Sequence, residues 1–176
     1  KAVEDLLQIE VPKRAQYLRI ITAELERLHS HLLWTGLAGH FIGYNTVFMW
    51  CWKYREPLLD ILEAVTGNRN HYAMLRVGGV RRDIPIEEYG NIRKLLDFLW
   101  KKNDMLTNAI IDDPVIHART KGVGVLDKKH CRLYGALGPT ARAGGYDIDA
   151  RRDHPIDAYG ELDFDVIVCQ NGDVFD

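Results

Sequence analysis

Leu18, Ile21, Leu25, Leu28 and Leu32 recur at spacings of three and four, the stripe that one face of a bundle helix presents to its core. Val11-Pro12 predicts where this helix opens, because proline at the first helical position loses no hydrogen bond and presets φ. Glu24, Glu26, Arg27 and His29 ride among the leucines. A second apolar run, Leu58, Leu59, Leu62 and Val65, predicts a helix that restarts at Arg55-Glu56-Pro57 and closes at Gly67. Glycine is the expected residue there, since it alone takes the left-handed conformation after a helix without Cβ strain. A third run begins at Asp83-Ile84-Pro85 and carries Tyr89, Ile92, Leu96, Leu99 and Leu106 toward Ile110. Between the first two, Gly36, Gly39 and Gly43 flank His40; small residues there either let helices approach closely or bend the chain.

Beyond Pro114 the periodicity gives way to short segments. Asp127 can cap one short helix ending at Gly135, after which Gly138-Pro139, Gly144-Gly145 and His154-Pro155 punctuate irregular structure. Phe164–Val168 and Asp173–Phe175, separated by Asn171-Gly172, read as a hairpin. The expected class is mainly α with a small C-terminal β portion (α+β). Residues 1–176 are expected to form a single domain, with a helical bundle over about 1–113 and an irregular portion with the hairpin over about 114–176. Lys1–Leu7 reads as the last turns of a helix already under way, so the chain is expected to be an internal fragment of a longer protein.

Charge and cysteine content narrow the chemistry. With 23 basic and 25 acidic residues and a net charge of −2, nothing argues for nucleic acid as a partner. The longest apolar stretches are interrupted by His31, His40 and Asn45 before they reach membrane-spanning length. Cys51, Cys131 and Cys169 are far apart, no C-x-x-C pair exists, and a metal site built within these residues is not expected. Free thiols fit an intracellular, reducing compartment. His29 and His31 project roughly 200° apart on a helix and cannot share a metal. Asp147, Asp149 and Asp153 lack the terminal glutamate of a calcium loop and read as a solvated turn.

The densest polar information lies in Thr66–Tyr72 and Arg76–Asp83. Arg69, Arg76, Arg81 and Arg82 surround the Gly78-Gly79 pair, a backbone that either needs positive φ or passes close to something else, with the lone His71 in the same stretch. A solvated loop with surface arginines is the plainer reading, and a shaped interaction surface the sharper one.

Spaced motifs then agree over nearly the whole chain: Ala2–Leu7, Val11–Arg19, Glu24–His31, Arg55-Glu56, Thr66–Arg69, Gly78–Asp83, Gly138–Ala143, and Asp149-x-Arg151-Arg152 through Phe164-Asp165-Val166. Together they resemble the family shared by large subunits of energy-converting, membrane-associated [NiFe] hydrogenases and the quinone-site-bearing D subunit of respiratory complex I. The resemblance implies that the Gly78-Gly79 loop, with Arg81, Arg82 and Asp83, faces a small subunit carrying an iron–sulfur cluster, and that His71 and Arg76 lie beside that cluster. A histidine there would make the cluster potential pH-dependent. Glu24, Arg27, His40, Arg69 and Arg142 fall on positions implied to support the active site.

Within the family, the quinone-reducing branch carries an Asp at the position occupied here by Phe41, and Trp34, His40 and Asn68-Arg69 look more like the hydrogenase branch; His71 pulls the other way. The resemblance implies no metal or other cofactor within these residues. A Ni–Fe centre would be held by C-x-x-C pairs outside them, the iron–sulfur cluster by the partner subunit, and quinone would replace H₂ chemistry in the alternative. Membrane subunits are the further implied partners, with the protein peripheral on the cytoplasmic side of a prokaryotic inner membrane. A family member without metal ligands, acting only as an assembly scaffold, is the remaining reading.

Overall fold

The computed structural model describes residues 1–176, which divide into two compact units, Lys1–Ile110 and Ile111–Asp176. The first contains α1 (Ala2–Leu7), α2 (Lys13–Ile42), α3 (Asn45–Thr66), a two-stranded ladder of β1 (Leu75–Arg76) and β2 (Gly79–Val80), and nearly all of α4 (Ile86–Ile111).

Helix α2 runs for 30 residues. Pro12 is its N-cap rather than its first helical residue, and the Gln16 side-chain amide donates to the Val11 carbonyl at 2.9 Å. Gly36 and Gly39 neither break nor end the helix; both are buried against α3. A Cβ on Gly36 would lie 3.0 Å from the Trp52 ring and 3.1 Å from Cys51 Cβ, and one on Gly39 would lie 3.1 Å from Val47. The glycines therefore serve close helix approach. Gly43, at φ 94°, closes the helix.

The expectation that a helix restarts at Arg55-Glu56-Pro57 is corrected. Helix α3 is already under way from Asn45, and Pro57 sits inside it. Proline in a helix interior removes one hydrogen bond. Burial decides the outcome: Val47, Cys51 and Tyr54, upstream of Pro57, form one apolar cluster with Leu106, while Leu58, Leu59, Leu62 and Val65 join Leu18, Leu25 and Leu95 downstream. Gly67 closes α3 at φ 84°, as the sequence predicts.

The β portion lies elsewhere than expected. Leu75 pairs with Val80 and Arg76 with Gly79, antiparallel, across a turn at Gly78 with φ 81°. The predicted C-terminal hairpin does not form. Cys169 N donates to Arg142 O, Gly172 N to Ala143 O, and Val174 N to Val123 O, so the residues around the expected turn bond to other parts of the chain. Short acidic side chains compete for the turn: the Asp176 carboxylate accepts from the backbone of Asn171 and Gly172, and Asp173 accepts from Gly122 and Phe175. Such local bonds offer the backbone an alternative to a ladder.

The second unit is more regular than its punctuation predicts. It contains α5 (Pro114–Thr120), α6 (Lys128–Tyr134), α7 (Gly138–Ala143), α8 (Ala150–Asp153) and a 3₁₀ turn at Tyr159–Glu161. Asp127 accepts from His130 N to cap α6, and Gly135 ends it at φ 65°, both as expected. Ile116, Cys131, Ala141, Ala158 and Tyr159 are buried within it. The fold is mainly helical with one two-stranded sheet, and no helix is long and apolar enough to cross a membrane.

Candidate functional site

The Gly78-Gly79 turn is held from below by an ion pair. Glu4 on α1 and Arg19 on α2 are 2 % and 4 % exposed, with Arg19 Nη2 2.5 Å from Glu4 Oε1 and Nη1 3.1 Å from Oε2. Arg19 also donates to the carbonyls of Gly79 at 2.9 Å and Arg76 at 2.8 Å, and Gly78 N donates to Glu4 Oε1 at 2.8 Å. The hydrogen bonds from Arg19, followed by the Gly78 N–H, hold the Glu4 carboxyl down at about 2. A buried pair is retained at little cost when its remaining polar atoms are also bonded, and here the hairpin backbone supplies those bonds.

Glu4 and Arg19 were legible only as parts of the family motif. The available signal was position: Ala15, Leu18, Arg19, Thr22 and Leu25 are all buried on α2, so an arginine stands in the core-facing stripe and requires a partner.

The remaining polar loop is built by similar anchoring. The Arg81 guanidinium donates to the carbonyls of Thr66 and Tyr72, and its backbone N–H to Met74 O at 2.8 Å. Asn68 Oδ1 accepts from the backbone of Asn70 and His71, shaping the turn that leaves His71 exposed. Arg14 makes a two-point bond to Asp83 at 2.8 Å and reaches Tyr89 Oη; Arg14 holds the Asp83 carboxyl below its usual range. Arg82 lies against Gly67, and the Arg76 side chain is exposed. Arg76, Gly78, Gly79 and Arg81 are thus parts of one anchored hairpin.

The other candidate residues pair locally and do not form a common centre. Glu24 and Arg27 bond each other on α2 at 3.1 Å. His40 Nδ1 lies 2.9 Å from Asn45 Oδ1 at the α2–α3 corner. Arg69 folds back onto Glu56 and Asp60 of α3 at 2.6 and 2.5 Å. In the second unit Arg142 lies 3.5 Å from Asp149. Asp149, 8 % exposed, is held at about 2 chiefly by its hydrogen bonds from the Arg151 side chain. An apolar groove of about 490 Å³, lined by Ile21, Leu25, Leu28, Ile84, Tyr89 and Leu96, runs between α2 and α4, with Glu24 at its edge.

No three His, Cys, Asp or Glu side chains are placed to hold a metal ion. All three cysteines are unpaired, and burial pushes the Cys51 thiol up to about 11, which disfavours the thiolate that metals bind. These residues therefore do not fit a Ni–Fe centre by themselves, and no catalytic step is derived through one.

Residues 42–176 match the family described as respiratory-chain NADH dehydrogenase, 49 Kd subunit. The chain is 40 % identical to a membrane-bound hydrogenase subunit alpha of Pyrococcus furiosus over 100 % of its own length and 43 % of that protein's. It is also 40 % identical to the second D subunit of the NADH-quinone oxidoreductase of Koribacter versatilis, over 99 % of its length and 43 % of the relative's. A solved structure of the membrane-bound sulfane sulfur reductase, an archaeal respiratory membrane complex, superposes with a TM-score of 0.92 at 34 % identity, covering 97 % of this chain and 46 % of that one. The chain thus spans less than half the length of these relatives. The match over most of its residues, the identities along its whole length and this superposition agree: the chain belongs to the oxidoreductase family of the respiratory-chain 49 Kd subunit, which includes the D subunit of NADH-quinone oxidoreductase and the membrane-bound hydrogenase alpha subunit.

Proposed function

We propose that the chain is the helical core of the large subunit of a membrane-bound redox complex of the energy-converting hydrogenase type. In this reading H₂ is oxidised, or protons are reduced, at a Ni–Fe centre held by cysteines outside these residues. Electrons pass through an iron–sulfur small subunit seated on the Gly78-Gly79 hairpin, and membrane subunits move ions. The protein is peripheral, on the cytoplasmic face.

The observation that carries the branch assignment is Phe41. Where the quinone-reducing branch carries an Asp, this chain presents an apolar ring that is 80 % exposed, which can neither accept a hydrogen bond from a quinone-site histidine nor stabilise its charge. The runner-up is quinone reduction in the manner of the complex I branch, favoured by His71 in the turn ahead of the hairpin.

The test is metal and activity analysis of the parent complex isolated with all its subunits. Nickel at one equivalent per large subunit, with viologen-dependent H₂ evolution, supports the hydrogenase reading. Nickel-free complex that reduces a quinone or a sulfane sulfur acceptor moves the assignment to those relatives, and a complex with neither activity leaves the scaffold role.

A further inference from the structure

Helix α2 carries apolar side chains on every side. Leu18 and Leu25 enter the core, Ile21 and Leu28 lie on the flank toward α4, and Trp34 and Phe41, one above the other, stand on the side opposite Leu25. A helix that is apolar all round belongs to the interior of a larger body. Only the first of these faces is covered: Ile21 and Leu28 are 38 % and 39 % exposed, and Trp34 is 66 % exposed.

The flank toward α4 is the best shaped of the open faces. Near the starts of both helices Arg14 bonds Tyr89, and beyond that bridge lies the apolar groove, with Ile21 and Leu28 on one wall and Tyr89 and Leu96 on the other. Trp100, 76 % exposed, extends the α4 wall by a further turn, since positions 89, 96 and 100 share a face. From Tyr89 to Trp100 the wall runs about 17 Å, roughly three turns. Charge stays at the edges, where Glu24 is bonded to Arg27 and the Arg93 side chain bonds no carboxylate.

Three observations select the occupant. Two helical walls accept a third helix, whose side-chain ridges fit between theirs with axes about 8–10 Å apart. A wall without charge except at its edges suits an obligate contact rather than a transient one, so the occupant is present whenever the protein is. Relatives of both branches carry the chain for it, because more than half of each lies outside the part matched by these residues.

We propose that the α2–α4 groove seats an amphipathic helix of the same large subunit, contributed by residues outside 1–176. Over about three turns it presents apolar side chains at helical spacing to Ile21, Leu28, Leu96 and Trp100, and an Asp or Glu at its edge pairs with Arg93. The proposal rests on membership of the family and the length of its members, and it is the same for H₂ and for quinone chemistry.

Photo-cross-linking in the intact complex tests this. Leu96 and, separately, Trp100 are replaced by p-benzoylphenylalanine, and the captured peptides are identified by mass spectrometry after irradiation. The expected result is that both probes capture one peptide of the same polypeptide, from outside residues 1–176, with apolar residues at helical spacing and an Asp or Glu beside them. Capture of a peptide from another subunit, of one from within residues 1–176, or of none would overturn the proposal. Trp100 exchanges one large aromatic group for another, which keeps the test available should the Leu96 variant fail to assemble. Hydroxyl-radical labelling of the unsubstituted complex gives a second readout: oxidation of Tyr89 and Trp100 should be largely lost relative to the denatured chain, and undiminished oxidation would show an open groove and overturn the proposal. Neither readout uses activity, so a failure of the hydrogenase assignment leaves both unaffected.

Discussion

Arg19 Nη2 lies 2.5 Å from Glu4 Oε1 while the same guanidinium nitrogen reaches the carbonyls of Arg76 and Gly79. One side chain therefore joins α1, α2 and both strands of the hairpin. Removing either partner leaves the other buried and uncompensated, which is more damaging than losing an exposed pair. Glu4→Gln is expected to lower the unfolding midpoint clearly more than Asp83→Asn, whose ion pair with Arg14 is more than half exposed on both sides. Denaturant titration of the two variants checks the order.

The same pair sets an acid limit. The Glu4 carboxyl is depressed from 4.5 to about 2 in the folded state, so its contribution is complete above about 4.5 and is lost as pH falls toward about 2. In Glu4→Gln that segment of the stability–pH curve should flatten. Equal slopes for the variant and the natural chain would assign the acid sensitivity to other carboxylates, Asp149 foremost.

Two glycines in helices should respond with opposite signs to the same change. A Cβ at Gly36 meets Trp52 and Cys51 at 3.0 and 3.1 Å, and overpacking of this kind costs about 1–3 kcal/mol. A Cβ at Gly90 on α4 meets nothing within 4 Å, and replacing a helical glycine by alanine there should stabilise by about 0.5–1 kcal/mol. Unfolding free energies of Gly36→Ala and Gly90→Ala measure both.

Thiol alkylation should follow burial. Cys51 is 0 % and Cys131 1 % exposed, whereas Cys169 is partly exposed. Cys169 is expected to react first in the native protein, with Cys51 protected until unfolding. Mass spectrometry after brief treatment with iodoacetamide reads the order.

If the proposed iron–sulfur small subunit docks on the hairpin with its cluster beside His71, His71→Met in the assembled complex should flatten the pH dependence of that cluster's potential, because methionine does not titrate. An unchanged slope in redox-monitored spectroscopy would remove His71 from that role.

What could be read in the sequence was what periodicity and single-residue backbone preferences encode. The α2 stripe, the stop at Gly67, the Gly78 turn and the Asp127 to Gly135 helix all depend on residues near one another. The errors came from contacts that periodicity and single-residue preference do not report. Pro57 reads as a helix start because proline favours one, but Val47, Cys51 and Tyr54 bury enough apolar surface to carry α3 through it. Asn171-Gly172 reads as a hairpin turn, yet Asp176 takes its backbone N–H groups and Asp173 takes those of Gly122 and Phe175. At the candidate site the exposed arginines drew notice, while Glu4 and Arg19, which shape the hairpin, lie 15 residues from each other and 74 and 60 from the glycines they hold. No local pattern reports such a pairing.

The tight Gly43-Tyr44 corner between α2 and α3 has a kinetic counterpart. Gly36 and Gly39 meet Cys51, Trp52 and Val47 across a short loop, so this helical hairpin closes at small entropic cost and should form early in folding. The contacts of Glu4 and Arg19 with the hairpin close loops of 74 and 60 residues and should form late. The hairpin then becomes native late, and it completes only after the helices beneath it are in place.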